Sequence, residues 1–388
     1  MLVRMPQRLR LIDLFAGAGG MTQGFKSTQR YQTVAAVELD KFAAATFAQN
    51  HNAGQVYAGG IEEWLAEGRV PHADVIIGGP PCQGFSALGK QDVLDERNFL
   101  WRKYAETIIK AQPRYFVLEN VRQFLTSPQF AELESWTLPG GALEDYELQP
   151  LLLNAADFGA YQARVRTIVI GRRRGLPEVP VPSVGPFKGR HRSVEQAFQG
   201  GPNQRVIPRM TLVKDFPDSR ITVRGMTMPG PFTTAELHVT RNYTETSLRR
   251  FAKIPAGGNR FDLPDELLAE CWKKHKSGSG DVMGRLHWNK PSVTIRTEFF
   301  KPEKGRYLHP DPTVLRAITH FEAARLQGFP DTYKWIGTKT AVARQIGNAV
   351  PIQLAAFLGR LIAEAWDASS GESAKADQVR ELAGVAAC

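Results

Sequence analysis

The sequence contains little cysteine. Its three cysteines, Cys82, Cys271 and Cys388, stand far apart and show neither a disulfide pairing pattern nor the spacing of a zinc site. This scarcity argues against a disulfide-stapled secreted module and is typical of a protein kept in a reducing compartment. We therefore expect a cytoplasmic protein without a structural metal.

Long apolar runs and repeated segments are also missing. No stretch approaches the length that a membrane-spanning helix needs, and the basic first residues are not followed by the apolar core of a signal peptide. We expect a soluble protein with no membrane association. A chain of 388 residues can bury a substantial core and form about two or three domains.

Acidic residues are outnumbered, which leaves a formal net charge of +10 and a pI near 9.5. Such an excess favours a polyanionic partner, with nucleic acid as the first candidate. Much of the excess lies in clusters in the middle of the chain, at residues 172–174, 188–192, 249–250 and 273–274.

The first motif is a strand, a glycine-rich turn and a helix. The apolar residues 9–15 predict a strand, which is followed by Ala16-Gly17-Ala18-Gly19-Gly20 and a helix from Met21. Such a turn brings backbone close to a ligand. The full dinucleotide fingerprint and a Walker lysine are both missing, which disfavours a phosphate cradle. A tight turn without a ligand is the alternative.

The second predicted strand begins near Thr33 and ends at Glu38, about 20 positions after the first, where related folds place a carboxylate against a ribose. This position indicates an adenosine-containing ligand. A solvated carboxylate at the end of a strand is the alternative interpretation.

Cys82 follows an unusual strand end. The apolar run 73–77 leads into Gly78-Gly79-Pro80-Pro81-Cys82, in which glycines permit rare backbone conformations and prolines stiffen the turn. Because open α/β sheets bind ligands at the carboxyl ends of their strands, Cys82 is a candidate nucleophile. The alternative is a small buried hydrophobic residue in a turn.

Two further strands carry polar residues to the same edge. Glu119 and Asn120 follow the apolar run 115–118, and alternation places Gln162, Arg164 and Arg166 on one face leading into the run 167–170. Together they predict a pocket for a polar planar group and a phosphate. A solvated edge strand for the arginines, and a helix-start carboxylate for Glu119, remain the alternatives.

The order of these blocks resembles the cytosine-C5 DNA methyltransferases of bacterial restriction-modification systems. The resemblance rests on Phe15-x-Gly17-x-Gly19, Pro80-Pro81-Cys82-Gln83, Glu119-Asn120-Val121, Gln162-x-Arg164-x-Arg166, Arg325 to Pro330 and Gln345 to Pro351. It covers nearly the whole chain apart from residues 175–285 and the tail. The fold that it implies is α/β: a doubly wound, mostly parallel, Rossmann-like sheet that uses S-adenosylmethionine, plus a smaller, irregular, β-rich target recognition domain.

The resemblance also implies a mechanism that begins with flipping the target cytosine out of double-stranded DNA. Cys82 would attack C6 and Glu119 would bind N3 and the exocyclic amine. Arg164 would hold the ring or its O2, and Arg166 would support the pocket. The methyl group of S-adenosylmethionine would pass to C5, leaving S-adenosylhomocysteine, and loss of the C5 proton would expel Cys82.

The cofactor contacts implied by the resemblance are Phe15, Ala16, Gly17, Gly19, Gly20, Glu38, Leu39, Ile61, Pro80, Leu100, Asn348, Ala349 and Val350. The implied DNA contacts are Gln83, Ser86 and Thr294. The chain departs from the family at Gly60, where an aspartate usually binds the adenine amine. Either Glu62 replaces that aspartate or the hydrogen bond is missing.

The expected domains are a catalytic and cofactor-binding part at 1–175, a recognition domain at 176–335, a return to the catalytic domain at 336–366 and a polar, partly disordered tail at 367–388. We expect a monomer, with any cognate restriction endonuclease acting separately. A tRNA cytosine-C5 methyltransferase, a catalytically silent DNA-binding relative and an unrelated Rossmann enzyme with a chance cysteine loop are the competing interpretations.

Overall fold

A computed structural model describes residues 8–81, 100–199, 214–274 and 279–385, with side chains described as far as residue 369. Cys82, Gln83 and Ser86 lie outside these ranges. The first half of the chain builds one seven-stranded sheet from β1 (Leu9–Leu14), β2 (Tyr31–Glu38), β3 (Gln55–Ala58), β4 (Val75–Gly78), β5 (Tyr115–Asn120), β6 (Tyr146–Asn154) and β7 (Val165–Arg173).

The strands lie in the order β3-β2-β1-β4-β5-β7-β6. The first five are parallel, whereas β7 runs antiparallel to both of its neighbours. The prediction of a mostly parallel sheet is confirmed. Strand β6 was not predicted, because this edge strand contains Pro150 and most of its side chains are only half-buried or exposed.

Helices cover both faces of the sheet, as a doubly wound fold requires. They are α1 (Gly20–Ser27), α2 (Lys41–Asn50), α3 (Ile61–Ala66), α4 (Leu100–Ala111), α5 (Pro128–Trp136) and the C-terminal α11 (Ile352–Val385). Leu11 packs with Phe25 and Leu358 on one face, while Ile12 packs with Trp64 and Ile108 on the other. Adjacent residues of β1 thus enter two different cores, because successive side chains of a strand point to opposite faces.

The middle of the chain contains short elements joined by long connections. They are α6 (Val194–Gln199), β8 (Arg220–Val223), β9 (Met226–Pro229), β10 (Phe232–Thr233), α7 (Glu245–Lys253), α8 (Glu270–Lys274), α9 (His320–Gln327), β11 (Lys334–Trp335) and α10 (Lys339–Asn348). Strands β8 and β9 pair with each other in an antiparallel, two-stranded sheet. Phe198, Phe232 and Ile346 share a third core, which joins this region to α10.

Helix α11 packs closely against α1. A Cβ on Gly24 would lie 2.4 Å from Cβ of Ala355, so the two helices approach at a distance that only glycine permits. The helix ends at Val385, beyond residue 366, where we expected the return to the catalytic domain to end. The helix therefore includes most of the segment that we expected to be a tail.

No single helix in the described ranges is long and apolar enough to cross a membrane. Helix α10 and residues 352–369 of α11 would satisfy the length and composition test only when taken together, and they are bent by 43°.

Candidate active site

The glycine-rich turn adopts a backbone conformation that suits glycine. Gly17 and Gly19 have φ angles of 55° and 87°, and Phe15 also has a positive φ of 55°. A Cβ on Gly17 would meet no atom within 4 Å, so the turn borders open space. The strained backbone at Phe15 and the positive φ angles that the glycines adopt without strain bring the main chain to the edge of that space.

Glu38 braces this turn. Its Oε2 accepts a hydrogen bond from the backbone N–H of Gly17 at 2.7 Å, and its Oε1 accepts one from the N–H of Asp40 at 2.7 Å. Burial raises the pKa of Glu38, and the two backbone hydrogen bonds oppose that shift. The adjacent Leu39 is 72 % exposed. A carboxylate beside an exposed apolar side chain suits a ligand with hydroxyl groups and a flat ring.

Asp13 is a site residue that the sequence analysis missed. It is buried at the end of β1, and its Oδ2 accepts a hydrogen bond from the hydroxyl of Thr22 at 2.6 Å. Burial raises the pKa of Asp13 to about 7, and nearby Glu38 adds to the rise. Because Gly19 has no side chain to cap α1, Asp13 serves the first turn of that helix. The signal in the sequence that could have indicated Asp13 was an acidic residue inside an otherwise apolar strand.

The departure at Gly60 is matched by an acidic neighbour. Gly60 precedes α3 with extended backbone, and Oε2 of Glu62 lies 3.4 Å from the point that a Cβ on Gly60 would occupy. The carboxylate of Glu62 therefore lies beside the position where the family usually has an aspartate. Ile61 packs in the core with Trp64.

The loop that leads to Cys82 leaves the sheet under tight constraints. A Cβ on Gly78 would lie 2.3 Å from the carbonyl oxygen of Leu14, which explains the glycine. Pro80 is buried, and its carbonyl accepts a hydrogen bond from Nδ2 of Asn120 at 3.0 Å. On the far side of the loop, Leu100 begins α4 and is half-buried.

Glu119 and Arg166 form an ion pair at this edge. Nε of Arg166 lies 2.9 Å from Oε1 of Glu119, and their side chains are only 17 % and 13 % exposed. Oε2 of Glu119 lies 3.0 Å from the point that a Cβ on Gly79 would occupy. The structure therefore brings together the acid, the arginine and the backbone that leads to Cys82. Their chemical roles stay predictions.

Arg164 and Gln162 bind the C-terminal third of the chain. Nη1 of the buried Arg164 donates hydrogen bonds to the carbonyls of Ile295 and Gly347, both at 3.1 Å. Burial lowers the pKa of Arg164 to about 9, and Arg166 contributes to this effect. Nε2 of Gln162 donates to Oε1 of Gln327 at 2.6 Å. The structure shows a buried arginine that joins distant segments, and its predicted role in a pocket for the base stays a prediction.

The segment after α10 closes against the glycine-rich turn. A Cβ on Gly20 would lie 3.1 Å from Cβ of Ala349 and 3.1 Å from the carbonyl oxygen of Val350. Asn348 is exposed. Ala349 and Val350 therefore lie against the glycine-rich turn. Their part in binding a cofactor, and that of Asn348, stays a prediction.

A cleft of about 410 Å³ opens beside β7. Its wall includes Ala163, Thr294, Arg296, Lys304 and Arg306. The hydroxyl of Thr294 donates to the carbonyl of Ala163 at 3.0 Å, so Thr294 lines the cleft beside Arg164. Arg296 is exposed, and within the described ranges its guanidinium has no carboxylate partner. The lining also includes Asp281, whose Oδ1 lies 3.2 Å from Nε of Arg306, so basic side chains outnumber acidic ones by three to one.

A family comparison accounts for this combination. Residues 9–364 match the model of the C-5 cytosine-specific DNA methylases. The chain belongs to that family. It is thus a methyltransferase of the class that modifies cytosine at C5 in DNA, and enzymes of this class use S-adenosylmethionine.

Bacterial relatives of this DNA methylase match over most of their length. It is 31 % identical to the Type II methyltransferase M1.HphI of Haemophilus parahaemolyticus, over 92 % of this chain and 86 % of the relative. It is 32 % identical to the Type II methyltransferase M.XorII of Xanthomonas oryzae, over 91 % of this chain and 84 % of the relative.

Solved structures share the fold of the methylase. A prophage-encoded E. coli protein described as a DNA modification methyltransferase superposes with a TM-score of 0.64 at 23 % identity, over 92 % of this chain and 99 % of that one. The S. pombe Dnmt2 methyltransferase gives a TM-score of 0.54 at 17 % identity, with the same coverage of 92 % and 99 %. The prediction of a Rossmann-like methyltransferase fold is confirmed.

Among the described residues, no three or more His, Cys, Asp or Glu side chains lie together as a metal site would require.

Proposed function

We propose that this methylase flips a cytosine out of duplex DNA and methylates C5 through a covalent bond between Cys82 and C6. The observation that carries the proposal is the Glu119–Arg166 ion pair, which lies against Gly79 on the backbone leading to Cys82. An enzyme cannot reach C6 of a stacked base, so the base has to leave the helix.

Glu119 would recognise the flipped base. Its carboxyl group would bind N3 and the exocyclic amine, and would stabilise N3 as the ring gains electron density. Arg166 holds the Glu119 carboxylate in place at 2.9 Å and offsets its charge in a mostly buried setting. Arg164, which lies behind this pair, would support the ring while it binds Ile295 and Gly347.

Covalent attack would make C5 reactive. Addition of the Cys82 thiolate to C6 moves electron density to C5, where the methyl group is received. Loss of the C5 proton then expels the thiolate and restores the aromatic ring. A thiolate nucleophile needs a lowered pKa, and the positive charge of nearby arginines would favour it.

The glycine-rich edge fits S-adenosylmethionine, which supplies the methyl group when bound. The open space at Gly17, the Glu38 carboxylate and the exposed Leu39 suit a nucleoside. Phe15 and Pro80 would border its rings, and Val350 would close the site from the far end of the chain. Glu62, beside Gly60, would replace the usual aspartate as acceptor for the adenine amine.

The basic cleft beside β7 would hold the DNA backbone near the flipped nucleotide. Thr294 and Arg296 line it, and Arg296 has an exposed guanidinium suited to a phosphate. Gln83 and Ser86 would add contacts from the cysteine loop. The bacterial relatives are named as Type II methyltransferases, so a restriction-modification role belongs to the proposal. The catalytic set comes from one chain, which favours a monomer.

The test is transfer of labelled methyl groups to duplex DNA and, in parallel, to total tRNA. Cys82→Ser should abolish transfer, whereas the matched variant Cys271→Ser, which changes an exposed cysteine on α8, should retain it. Duplex DNA containing 5-fluorocytosine should trap a covalent complex with the wild type, because fluorine cannot leave as the proton does. Cys82→Ser should form none.

Three results would contradict the proposal. Label in tRNA alone would indicate an RNA methyltransferase. Full activity of Cys82→Ser would remove the covalent step. Absence of both transfer and cofactor binding in the folded wild type would indicate a catalytically silent relative.

A further inference from the structure

The carbonyl of Ala18, in the glycine-rich turn, is bound by a side chain from the far end of the chain. The hydroxyl of Tyr333, which precedes β11, donates a hydrogen bond to this carbonyl. Nε2 of His51, at the end of α2, lies 3.0 Å from the same tyrosine oxygen. Three segments that are distant in sequence therefore meet behind the turn.

The direction of each hydrogen bond follows from the number of protons available. A tyrosine hydroxyl has one proton, and that proton goes to Ala18. The tyrosine oxygen therefore accepts from Nε2–H of His51, which leaves Nδ1 of His51 as an acceptor. Nζ of Lys26 lies 3.5 Å from that nitrogen. Every donor in the series thus points towards the turn, and such chains reinforce one another.

The series is buried and fixed by packing. Tyr333 and His51 are 3 % and 2 % exposed, and their rings pack against Phe329 and Phe47 with centroids 4.8 and 4.7 Å apart. Burial lowers the pKa of His51 to about 3, so the ring is neutral near pH 7. A Cβ on Gly19 would lie only 2.4 Å from Nε2 of His51. The imidazole therefore packs directly against Gly19, one of the residues of the turn with a positive φ.

Tyr333 also belongs to the part of the chain that packs with the middle region. Its own carbonyl accepts a hydrogen bond from the N–H of Thr234 at 2.8 Å. Tyr333 thus binds Thr234, the residue after β10, through its backbone and Ala18 in the glycine-rich turn through its side chain.

We propose that Tyr333 and His51 are positioning residues that hold the Ala18–Gly19 peptide in the conformation that binds S-adenosylmethionine. The inference rests on the proposed function, since it takes this turn as the cofactor site. Neither side chain has to touch the cofactor. Their role is to prevent the turn from relaxing to conformations that bind it less tightly.

The test compares two tyrosine hydroxyls by calorimetry with S-adenosylhomocysteine as the probe. Tyr333→Phe removes the donor to Ala18 and keeps the ring. Tyr146→Phe is the matched control, because Tyr146 is 4 % exposed and its hydroxyl donates to the carbonyl of Pro113 at 2.7 Å, before β5 begins. Tyr333→Phe should weaken binding about five- to tenfold, as the loss of one buried hydrogen bond would. Tyr146→Phe should leave the Kd unchanged.

Kinetics separate positioning from a general loss of structure. Tyr333→Phe should raise KM for S-adenosylmethionine while KM for DNA stays constant. His51→Leu should behave like Tyr333→Phe, and His51→Gln, whose amide can donate to the tyrosine oxygen, should recover much of the affinity. The double variant Tyr333→Phe with His51→Leu should be less impaired than the product of the two single effects, because both act on one series.

Equal Kd values for wild type, Tyr333→Phe and Tyr146→Phe would overturn the inference and leave the proposed function intact. A wild type that binds no S-adenosylhomocysteine would instead refute the cofactor site itself. If Tyr333→Phe does not fold, as judged by circular dichroism, the comparison of His51→Gln with His51→Leu decides, and equal affinities there would overturn the inference.

Discussion

The sheet region, residues 8–175 with α11, and the loop-rich region, residues 176–335, satisfy their backbone groups in different ways. In the sheet region, seven strands pair their backbone N–H and carbonyl groups in the ladders of one sheet. The described part of the loop-rich region has only four strands, each of two to four residues. Many of its carbonyls are bound by arginine side chains instead.

Arg285 is the centre of this arrangement. It is fully buried and donates hydrogen bonds of 2.7 to 3.3 Å to the carbonyls of Phe251, Ile254, His309, Asp311, Pro312 and Val314. Arg306 likewise binds the carbonyls of Gly257, Gly258, Gly280 and Arg285. A guanidinium offers five N–H donors in a fixed plane, so the six carbonyls around Arg285 share them, with Nη1 serving three. One buried arginine can therefore order several loops where no ladder exists.

The largest predicted effect concerns Arg285 and the stability of the loop-rich region. Arg285→Met should lower the free energy of unfolding by about 3 to 5 kcal/mol, because several buried carbonyls lose their donor. Arg102→Met, which removes a half-exposed ion pair with Glu132 on the sheet region, should cost less than about 1 kcal/mol. Urea denaturation measures both. Similar losses of stability for the two variants would show that Arg285 contributes no more than an exposed ion pair does.

The second prediction concerns buried acids, which should respond to pH in opposite directions in the two regions. Asp13 in the sheet region has a folded pKa raised to about 7. Since the folded state keeps this proton while the unfolded state loses it, stability should fall as pH rises from about 4 to 7, by up to about 1.4 kcal/mol per pH unit. Asp13→Asn should remove that decrease.

Glu322 in the loop-rich region should make stability change with pH in the opposite direction. Burial alone would raise its pKa, but the ion pair with Arg316, at 2.7 Å, outweighs burial and lowers the pKa to about 2. Its contribution is present above the unfolded pKa, near 4.5, and is lost as pH falls towards 2. Glu322→Gln should flatten stability in that acid range. Denaturation curves from pH 3 to pH 8 that show one shared direction for both acids would contradict the comparison.

The third prediction tests the cleft where the two regions meet. Arg296→Ala should weaken DNA binding about three- to tenfold and reduce the slope of log K against log salt by about 1, as expected for one lost phosphate contact. Arg69→Ala is the control, because Arg69 is also exposed but lies in the loop before β4, at the opposite edge of the sheet. Equal slopes for the two variants would place the DNA elsewhere.

The smallest predicted effect concerns Glu62, beside the proposed cofactor site in the sheet region. Glu62→Gln should raise the Kd for S-adenosylhomocysteine about two- to fivefold, if its carboxylate accepts a hydrogen bond beside Gly60. The control is Glu67→Gln, at the exposed end of α3. An unchanged Kd for Glu62→Gln would favour the other alternative, in which the hydrogen bond is missing.

The sequence predicted the sheet region better than the loop-rich region for a physical reason. Apolar runs placed β1, β2, β4 and β5, and Glu38 and Glu119 lie at the carboxyl ends of β2 and β5. Arg166 reaches Glu119 from the start of β7, which runs antiparallel to β5. Strand periodicity is local, so it can be read from neighbouring residues. The conformation around Cys82, Gln83 and Ser86 lies outside the described residues and stays a prediction.

The contacts that could not be predicted depend on segments distant in sequence. Nothing near Arg285 indicates that its guanidinium would be buried among six carbonyls, because those carbonyls converge only when the loops fold. For the same reason the motif at Gln162 and Arg164 predicted a common face but not its covering by Ile295 and Gly347. Asp13 was missed because strand periodicity gives no information about the first turn of α1.

The contact of Gly20 with Ala349 and Val350 has a consequence for biosynthesis. A ribosome that has made the glycine-rich turn still has more than three hundred residues to add before the opposing wall emerges. The nascent chain can pair its first strands early, but the glycine-rich turn cannot be covered by Ala349 and Val350 until translation is almost complete. A truncated product that ends before α10 therefore leaves this side of the turn uncovered.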